Sequence, residues 1–399
     1  MSNKTPELFI EINELNIIFV AGNYDDDLNF SILEKNISSA EDFFNNELIN
    51  LSQAVKIVKE NVEKIENKID HVFKDVTIIL DQFNCSSVNI SGYKILNQSQ
   101  ILKENISYIL NSLKLTISES EKDKSILHIF NSKSVLDGNV IENLPIGLFG
   151  NFYNHELTFF LIKKNDLKNI KQIFNKNGLN IKKIMNKTFI EGTQLIENNK
   201  DTETFYYIKI KKKSSSVSFF DNSAYKYLES FNFGTNILLQ DISKVCSISY
   251  ETIENILNNN IFKKENLEKD ELVEKKFFNK ENYRKIKKKL IKEIVKARIE
   301  EISNIILFNN TNTSSFKFDT GKIFVVFEDE LFLNNFKDEF NYYFSKKFKY
   351  EATSLNDFEI NSLFNKAAHL SVFGWRKEAI PRLETKNSLI TRIFKSLFE

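Results

Sequence analysis

The sequence predicts an α/β protein with a duplicated core, and three observations carry that prediction. A strand–turn–strand pattern occurs twice, at Glu7–Asn23 and at Thr204–Asp221. A third strand, Lys322–Val326, runs through a turn into a helical stretch from about Leu331 to Phe344. Long segments of helical periodicity lie between the strand units, as a layered α/β domain requires.

The first hairpin turns near Asn13 and Glu14, and its second strand covers Ile17–Ala21. The later hairpin has strands Phe205–Ile210 and Ser216–Phe220, joined by the turn Lys211–Ser214. Both alternate or run apolar, as strands of a mixed sheet do. A helix over Leu51–Phe73 follows from Leu51, Val55, Val58, Val62, Ile65, Ile69 and Val72 on one face, with Asn50 as its N-cap. A shorter helix, Asp166–Asn177, has Gly178 as its stop. Tyr283–Leu307 is expected to be helical with Ile286, Leu290, Ile294, Ile302 and Ile305 on its buried face.

Two segments stand apart. Val76–Asn165 carries strand-like runs at Val76–Leu80, Ile126–Ile129 and Leu157–Lys163 around a helical stretch, Gln98–Leu113, and reads as an inserted α/β subdomain. Asp241–Leu307 is helical and highly charged, with a lysine- and glutamate-rich loop near Lys263–Lys280.

At 399 residues, with 42% hydrophobic and 27% charged side chains, the chain is expected to be globular and to hold more than one domain. A net charge of +1 gives no overall field for nucleic acid or membrane, so such contacts must be local. Cys85 and Cys246 imply neither a disulfide framework nor a zinc site. His71, His128, His155 and His369 lack metal-ligand spacing and a paired nucleophile, and read as structural or surface residues. The basic run Lys285–Lys289 has acidic neighbours and no aromatic ladder, so it reads as a solvated helix face and not as a nucleic-acid patch. No secretory signal and no membrane-spanning run are recognised, and a cytoplasmic protein is expected.

The final fourteen residues, KNSLITRIFKSLFE, form an amphipathic pattern. Leu389, Ile390, Ile393, Phe394, Leu397 and Phe398 share one helical face, opposite Lys386, Arg392, Lys395 and Ser396. Such a helix needs a surface to cover its stripe. Its own domain and an anionic membrane both suit it. Pro381 and the polar run Glu384–Ser388 have the character of a tether and favour the membrane. Leu389, Ile390, Arg392, Ile393, Phe394, Lys395, Leu397 and Phe398 are therefore the candidate membrane-binding residues.

Several stretches, in order along the chain, resemble one family. LDGNVIENLPIGLFG (Leu136–Gly150), with its spacing of Pro145, Gly147 and Gly150, is similar to the inserted subdomain of FtsA, the bacterial cell-division actin homologue, and NHELTFFLI follows it. NKNGLNIKKI (Asn175–Ile184), FGTNILLQDI (Phe233–Ile242), IVKARIEEI (Ile294–Ile302) and the tail resemble further segments of that family. The resemblance implies an actin-like fold of duplicated RNase H-like domains, with an FtsA-type inserted subdomain and a C-terminal amphipathic helix. Its domains would be 1–75 with 166–198, the insert 76–165, 199–240 with 308–380, the helical subdomain 241–307, and the linker and membrane helix 381–399. It further implies a protein that polymerises, binds the C-terminal peptide of FtsZ and ties Z-ring filaments to anionic lipid on the cytoplasmic face of the inner membrane at the division site. Later divisome proteins would be recruited through the insert. The region 241–307 resembles the FtsZ-binding part, and Lys285, Ile286, Lys288 and Lys289 are its candidate partner-binding residues.

The sequence departs from the family where nucleotide would bind. Glycine lets backbone N–H groups approach phosphate. Asn13 and Glu14 replace the family's Gly-Thr, with Glu11 keeping the acidic position before them. Lys209–Ser214 replaces Asp-x-Gly-Gly-Gly-Thr, and Phe327, Glu328 and Asp329 replace Gly-Gly-Ala. The candidate nucleotide-binding residues are thus a degenerate set: Glu11, Asn13, Lys211, Lys212, Lys213 and Ser214. The lysine run reads as a solvated turn, with charge capture of phosphate as the alternative. The expected function is a non-catalytic membrane adaptor without a cofactor. A slow ATPase that takes ATP and magnesium unconventionally, or an actin-like assembly protein of another envelope machine such as the pilus platform, are the alternatives.

Overall fold

A computed structural model describes residues 5–25, 29–40, 50–81, 85–199, 201–262, 271–316, 320–345, 349–356 and 358–379. The candidate membrane-binding residues Leu389–Phe398 lie outside these. The chain divides into two compact units. The first holds the described residues up to Glu203, with Asp221–Tyr227 and the stretch from Phe358. The second holds Thr204–Phe220 and Leu228 onward to residue 356.

The first unit begins with strands β1 (Glu7–Ile12), β2 (Asn16–Tyr24) and β3 (Phe30–Ser39), then helix α1 (Leu51–Ile69) and strand β4 (Asp75–Leu80). The chain continues through β5 (Cys85–Ile95), α2 (Lys103–Ser120), β6 (Lys124–Leu136), β7 (Asn139–Ile141) and β8 (Phe152–Lys163). Helix α3 (Lys164–Lys176), strand β9 (Asn180–Asn186) and helix α4 (Lys187–Asn198) complete this run. The next elements are β10 (Phe205–Ile210), β11 (Ser215–Asp221), β12 (Ala224–Phe231), α5 (Asn236–Cys246), α6 (Tyr250–Asn258), α7 (Lys288–Ser303), β13 (Thr320–Phe327), α8 (Glu330–Ser345) and β14 (Lys349–Asn356); all lie in the second unit except Asp221 of β11 and the first half of β12, Ala224–Tyr227, which group with the first. Helix α9 (Ile360–Phe373) groups with the first unit.

The expected duplication is present in the sheets. One has strand order β3-β2-β1-β4-β9 and the other β12-β11-β10-β13-β14. In each, an antiparallel hairpin is followed by parallel strands added beside its first strand. Apolar residues of β1, β2, β4 and β9 close a core with Val58, Val62 and Ile65 of α1 and Ile170, Ile173 and Phe174 of α3. A third sheet, β5-β8-β6-β7, packs under Ile109, Leu113 and Ile117 of α2.

Several expectations need correction. The strand at 76–80 belongs to the first central sheet, between β1 and β9, so the separate sheet starts at β5. Helix α1 ends at Ile69 because Asp70 adopts a left-handed backbone (φ 52°), and Val72 is left exposed. Helix α2 lies later than expected and runs on to Ser120. Residues 358–379, expected with the second domain, group with the first: Tyr24 donates to the Ala368 carbonyl (3.1 Å) and Lys183 Nζ to that of Leu370 (3.1 Å).

Helix α7 starts at Lys288, not Tyr283. The preceding residues are extended, with Leu272 bridged to Lys287 and the Val273 N–H donating to the Ile286 carbonyl (2.8 Å). Its buried stripe is Ile291, Val295, Ile299 and Ile302, one position out of phase with the expected Leu290 and Ile294.

After α9 the chain returns along β6. Asn131 N–H donates to the Lys377 carbonyl and Ala379 N–H to that of Ile129, both at 2.7 Å. Glu378 is buried against His128 Nδ1 (3.0 Å) and Lys183 Nζ (3.8 Å). His128 Nε2 accepts the Asn186 N–H, so its own proton sits on Nδ1 and points at Glu378. Burial opposes ionisation of Glu378, but Lys183 and His128 outweigh it and hold the carboxyl below the usual range. A buried hydrogen bond to His128, two backbone bonds to β6 and the nearby Lys183 charge therefore hold residues 377–379 against the first unit.

His155 in β8 is buried beside Tyr153, and neither ring nitrogen has a hydrogen-bond partner. Burial lowers its pKa from 6.5 to about 4. Because the folded state resists protonating this histidine and the unfolded state does not, stability is highest above pH 6.5 and falls as pH drops from there toward 4. The loss is at most about 3 kcal/mol. His155→Leu is expected to flatten stability between pH 7 and 4 and to raise it at neutral pH. Denaturant melts at the two ends of that window check it; an unchanged pH slope refutes it.

Candidate functional site

In open sheets with parallel strands, ligands gather at the carboxyl ends of the strands. In the first unit that region contains the β1–β2 turn, Asp81 just after β4, and the first turn of α4. Glu11, Asp81, Lys187 and Glu191 meet here, each at most 5% exposed. Lys187 Nζ lies 3.0 Å from Glu11 Oε1, 3.7 Å from Asp81 Oδ2 and 3.9 Å from Glu191 Oε1. Buried carboxylates need a cation close by, and here that cation is covalently part of the chain.

The turn itself is satisfied internally. Asn13 Oδ1 accepts the N–H groups of Leu15 (3.0 Å) and Asn16 (2.8 Å), and Asn13 Nδ2 donates to Glu11 Oε1 (3.0 Å). The Asn13 N–H donates to the Asn16 carbonyl (3.0 Å). The donors that a glycine-rich turn would aim at phosphate are engaged by the asparagine side chain.

In the second unit the β10–β11 turn is closed just as firmly. Lys211 N–H donates to the Ser214 carbonyl (2.9 Å). The N–H groups of Thr235 and Asn236, at the start of α5, donate to the carbonyls of Lys211 and Lys212, both at 2.9 Å. A helix N-terminus is a ready anion site only while its N–H groups are available. Gly234 makes the close approach possible: a Cβ there would lie 2.1 Å from the Lys211 carbonyl oxygen.

The lysine run is split by this packing. Lys212 and Lys213 are exposed, as a solvated turn predicts, but Lys211 is buried with its Nζ 3.3 Å from Glu328. Ser214 is buried. Thr235 donates to Asp329 Oδ2 (2.9 Å), and Phe327 packs edge-on against Phe340 in the core. The residues at these two turns do not fit a polyphosphate with its metal. Glu11, Asn13 and Lys211 are each committed to partners within the chain.

The partner-binding candidates lie elsewhere in the second unit. Arg284, Lys285, Lys287 and Lys289 rim an open groove of about 760 Å³. Val245 and Leu290, 58% and 40% exposed, supply apolar surface to it. The extended backbone at 285–287 alternates, so Lys285 and Lys287 face outward while Ile286 points in, and Lys288, the first residue of α7, is buried. Ile286 is largely buried but still lines the floor of the groove, whereas Lys288 is corrected: it is buried, paired with Glu271, and does not line the groove. Lys285 and Lys289 remain on the groove. Arg298 pairs with Asp241 and Glu301, which fits a role in holding α7 against α5.

The sequence reading missed Asp81, Lys187 and Glu191 in the first cluster and Arg284 and Val245 at the groove. Asp81 had a signal, a carboxylate ending the apolar run Val76–Leu80. Lys187 had none, since nothing local marks a lysine as buried.

No protein-family model and no curated protein matches the sequence. Among solved structures, the chain is similar to a type IV pilus biogenesis complex, PilM–PilN, at 8% identity and a TM-score of 0.53, covering 92% of this chain and 95% of that one. MreB 5 of Spiroplasma citri bound to AMPPNP has a TM-score of 0.46 at 10% identity, covering 92% and 96%. The ethanolamine utilization protein EutJ of Carboxydothermus hydrogenoformans has 0.45 at 11%, covering 92% and 90%. The last two carry no weight beyond the likeness itself. The duplicated sheets and the match across nearly the whole length of the pilus protein give this chain an actin-like ATPase fold.

Proposed function

We propose that this chain is a non-catalytic actin-like adaptor that takes a short acidic peptide of a partner protein in the groove of its second unit. The observation that carries the reading is the groove itself, four cations and one carboxylate, Glu293, around exposed Val245 and Leu290. Charge brings an acidic segment in and apolar anchors hold it. The FtsA resemblance supports the C-terminal peptide of FtsZ as that segment. On that reading the C-terminal residues Leu389–Phe398 bind anionic lipid, and the protein polymerises and tethers FtsZ filaments beneath the inner membrane at the Z ring. Co-sedimentation with anionic vesicles, with and without FtsZ, tests it: FtsZ should pellet only when this protein and vesicles are both present. FtsZ left in the supernatant would refute the partner.

The likeness to the PilM–PilN complex favours a second reading, an actin-like platform of an envelope machine such as the pilus. A cytoplasmic peptide of an inner-membrane protein would then take the same groove. Competition between that peptide and the FtsZ peptide separates the two.

Both readings work without nucleotide, because the donors at the two turns are engaged within the chain. Thermal melts with millimolar ATP and magnesium are expected to show no shift. Binding a thousandfold above its dissociation constant would stabilise by about 4 kcal/mol. A clear rise, lost when Lys211, Lys212 and Lys213 are changed to serine, would restore the nucleotide-binding alternative.

A further inference from the structure

We propose that Lys187 is a built-in counter-cation: its ammonium pairs with the buried carboxylate of Glu11, offsets part of the charge of the nearby Asp81 and Glu191 and, through Glu11, locks the β1–β2 turn. The inference rests on the reading that the chain works without nucleotide, and it says what replaces the charge that a bound metal would bring.

The contacts form a continuous path. Lys187 Nζ and Asn13 Nδ2 both lie 3.0 Å from the same oxygen, Glu11 Oε1. Asn13 Oδ1 then takes the N–H groups of Leu15 and Asn16. The first residue of α4 is thus connected by charge-assisted bonds to a turn far away in sequence.

Lys187 is not where helix physics would put a lysine. It is the first residue of α4, where the partial positive charge of the helix end disfavours a cation. It is also 5% exposed, and a buried ammonium is expensive without close anions. The three carboxylates offset both costs. A diffusible ion would come and go with its ligand, whereas a tethered ammonium cannot leave. The turn is therefore held in one conformation whatever ligands are present.

The test compares wild type with Lys187→Met, which keeps the chain length and removes the charge. The melting temperature should fall by on the order of 10 °C, as loss of one partner from a buried ion cluster implies. Amide exchange at Leu15 and Asn16 should quicken at least tenfold, an effect that mere loosening of α4 would not place at this turn. Adding Glu11→Gln to Lys187→Met should restore more than half of the lost melting temperature, because it removes one uncompensated buried charge. Wild type should not respond to magnesium chloride alone at about 10 mM.

A Lys187→Met melt within about 2 °C of wild type would overturn the proposal. So would failure of Glu11→Gln to improve it, or a wild-type shift with magnesium alone. Should Lys187→Met not fold, the double variant must fold, and its failure overturns the proposal as well. A wild-type shift that requires ATP together with magnesium would instead overturn the nucleotide-free reading of the function.

Discussion

Phe394→Asp is expected to reduce vesicle binding to background. Leu389, Ile390, Ile393, Phe394, Leu397 and Phe398 fall on one helical face, and Phe394 is central in that stripe. Each apolar side chain contributes at most about 1.5–3 kcal/mol when moved out of water. Ordering the helix and incomplete immersion consume much of that sum. Binding by one tail is therefore weak, and the loss of Phe394 together with the arrival of a carboxylate in the apolar layer removes what remains. Assembled copies share one surface, so the parent protein should bind strongly when polymerised. Among the described residues no helix is long and apolar enough to cross a membrane. The described chain ends at Ala379, pinned to Ile129 through the buried Glu378 contacts. That anchor is far in sequence from Phe394 and should survive the substitution. Vesicle flotation with a far-UV spectrum of the variant checks both points. Undiminished flotation would sink the membrane assignment.

Much of the fold was legible because its strongest signals are local. The two hairpins carry unbroken apolar runs, and Asn50 and Gly178 mark helix ends by chemistry that neighbours cannot change: Asn50 accepts from Gln53 N–H, and Gly178 takes a φ of 71°. The missed strands β3 and, from Asn89 onward, β5 have every second side chain exposed, and lysine, serine and asparagine there hid the alternation. The phase slip in α7 has another cause. Ile286, Leu290 and Ile294 offer a stripe beside that of Ile291, Val295 and Ile299, and only tertiary packing chooses between them. The missing glycines at the turns were readable directly. What replaced them was not, because the role of Asn13 depends on Glu11 and Lys187 meeting it in space.

Charge reversal on the groove is expected to weaken peptide binding by about 10–100-fold. Arg284, Lys285 and Lys289 are exposed, so changing each to glutamate should leave the fold intact. Lys289 pairs with Glu293 at 3.8 Å, but both are half exposed and such a pair contributes little. Each rim charge contributes roughly 0.5–1 kcal/mol to recognition of an acidic segment, so three together amount to about 1.5–3 kcal/mol. The change should appear mainly in the association rate and should fade at high salt. Leu290→Ala should instead speed dissociation, since it removes an apolar anchor while sparing the charges. Lys288 serves as the contrast. It is buried beside the part-exposed Glu271, and Lys288→Glu would bury a carboxylate next to another, so this variant should lose stability where the rim reversals do not. Stopped-flow binding of a fluorescent FtsZ C-terminal peptide at two salt concentrations, with melts of each variant, separates these effects. An affinity untouched by the triple reversal and insensitive to salt would move the partner site away from this groove.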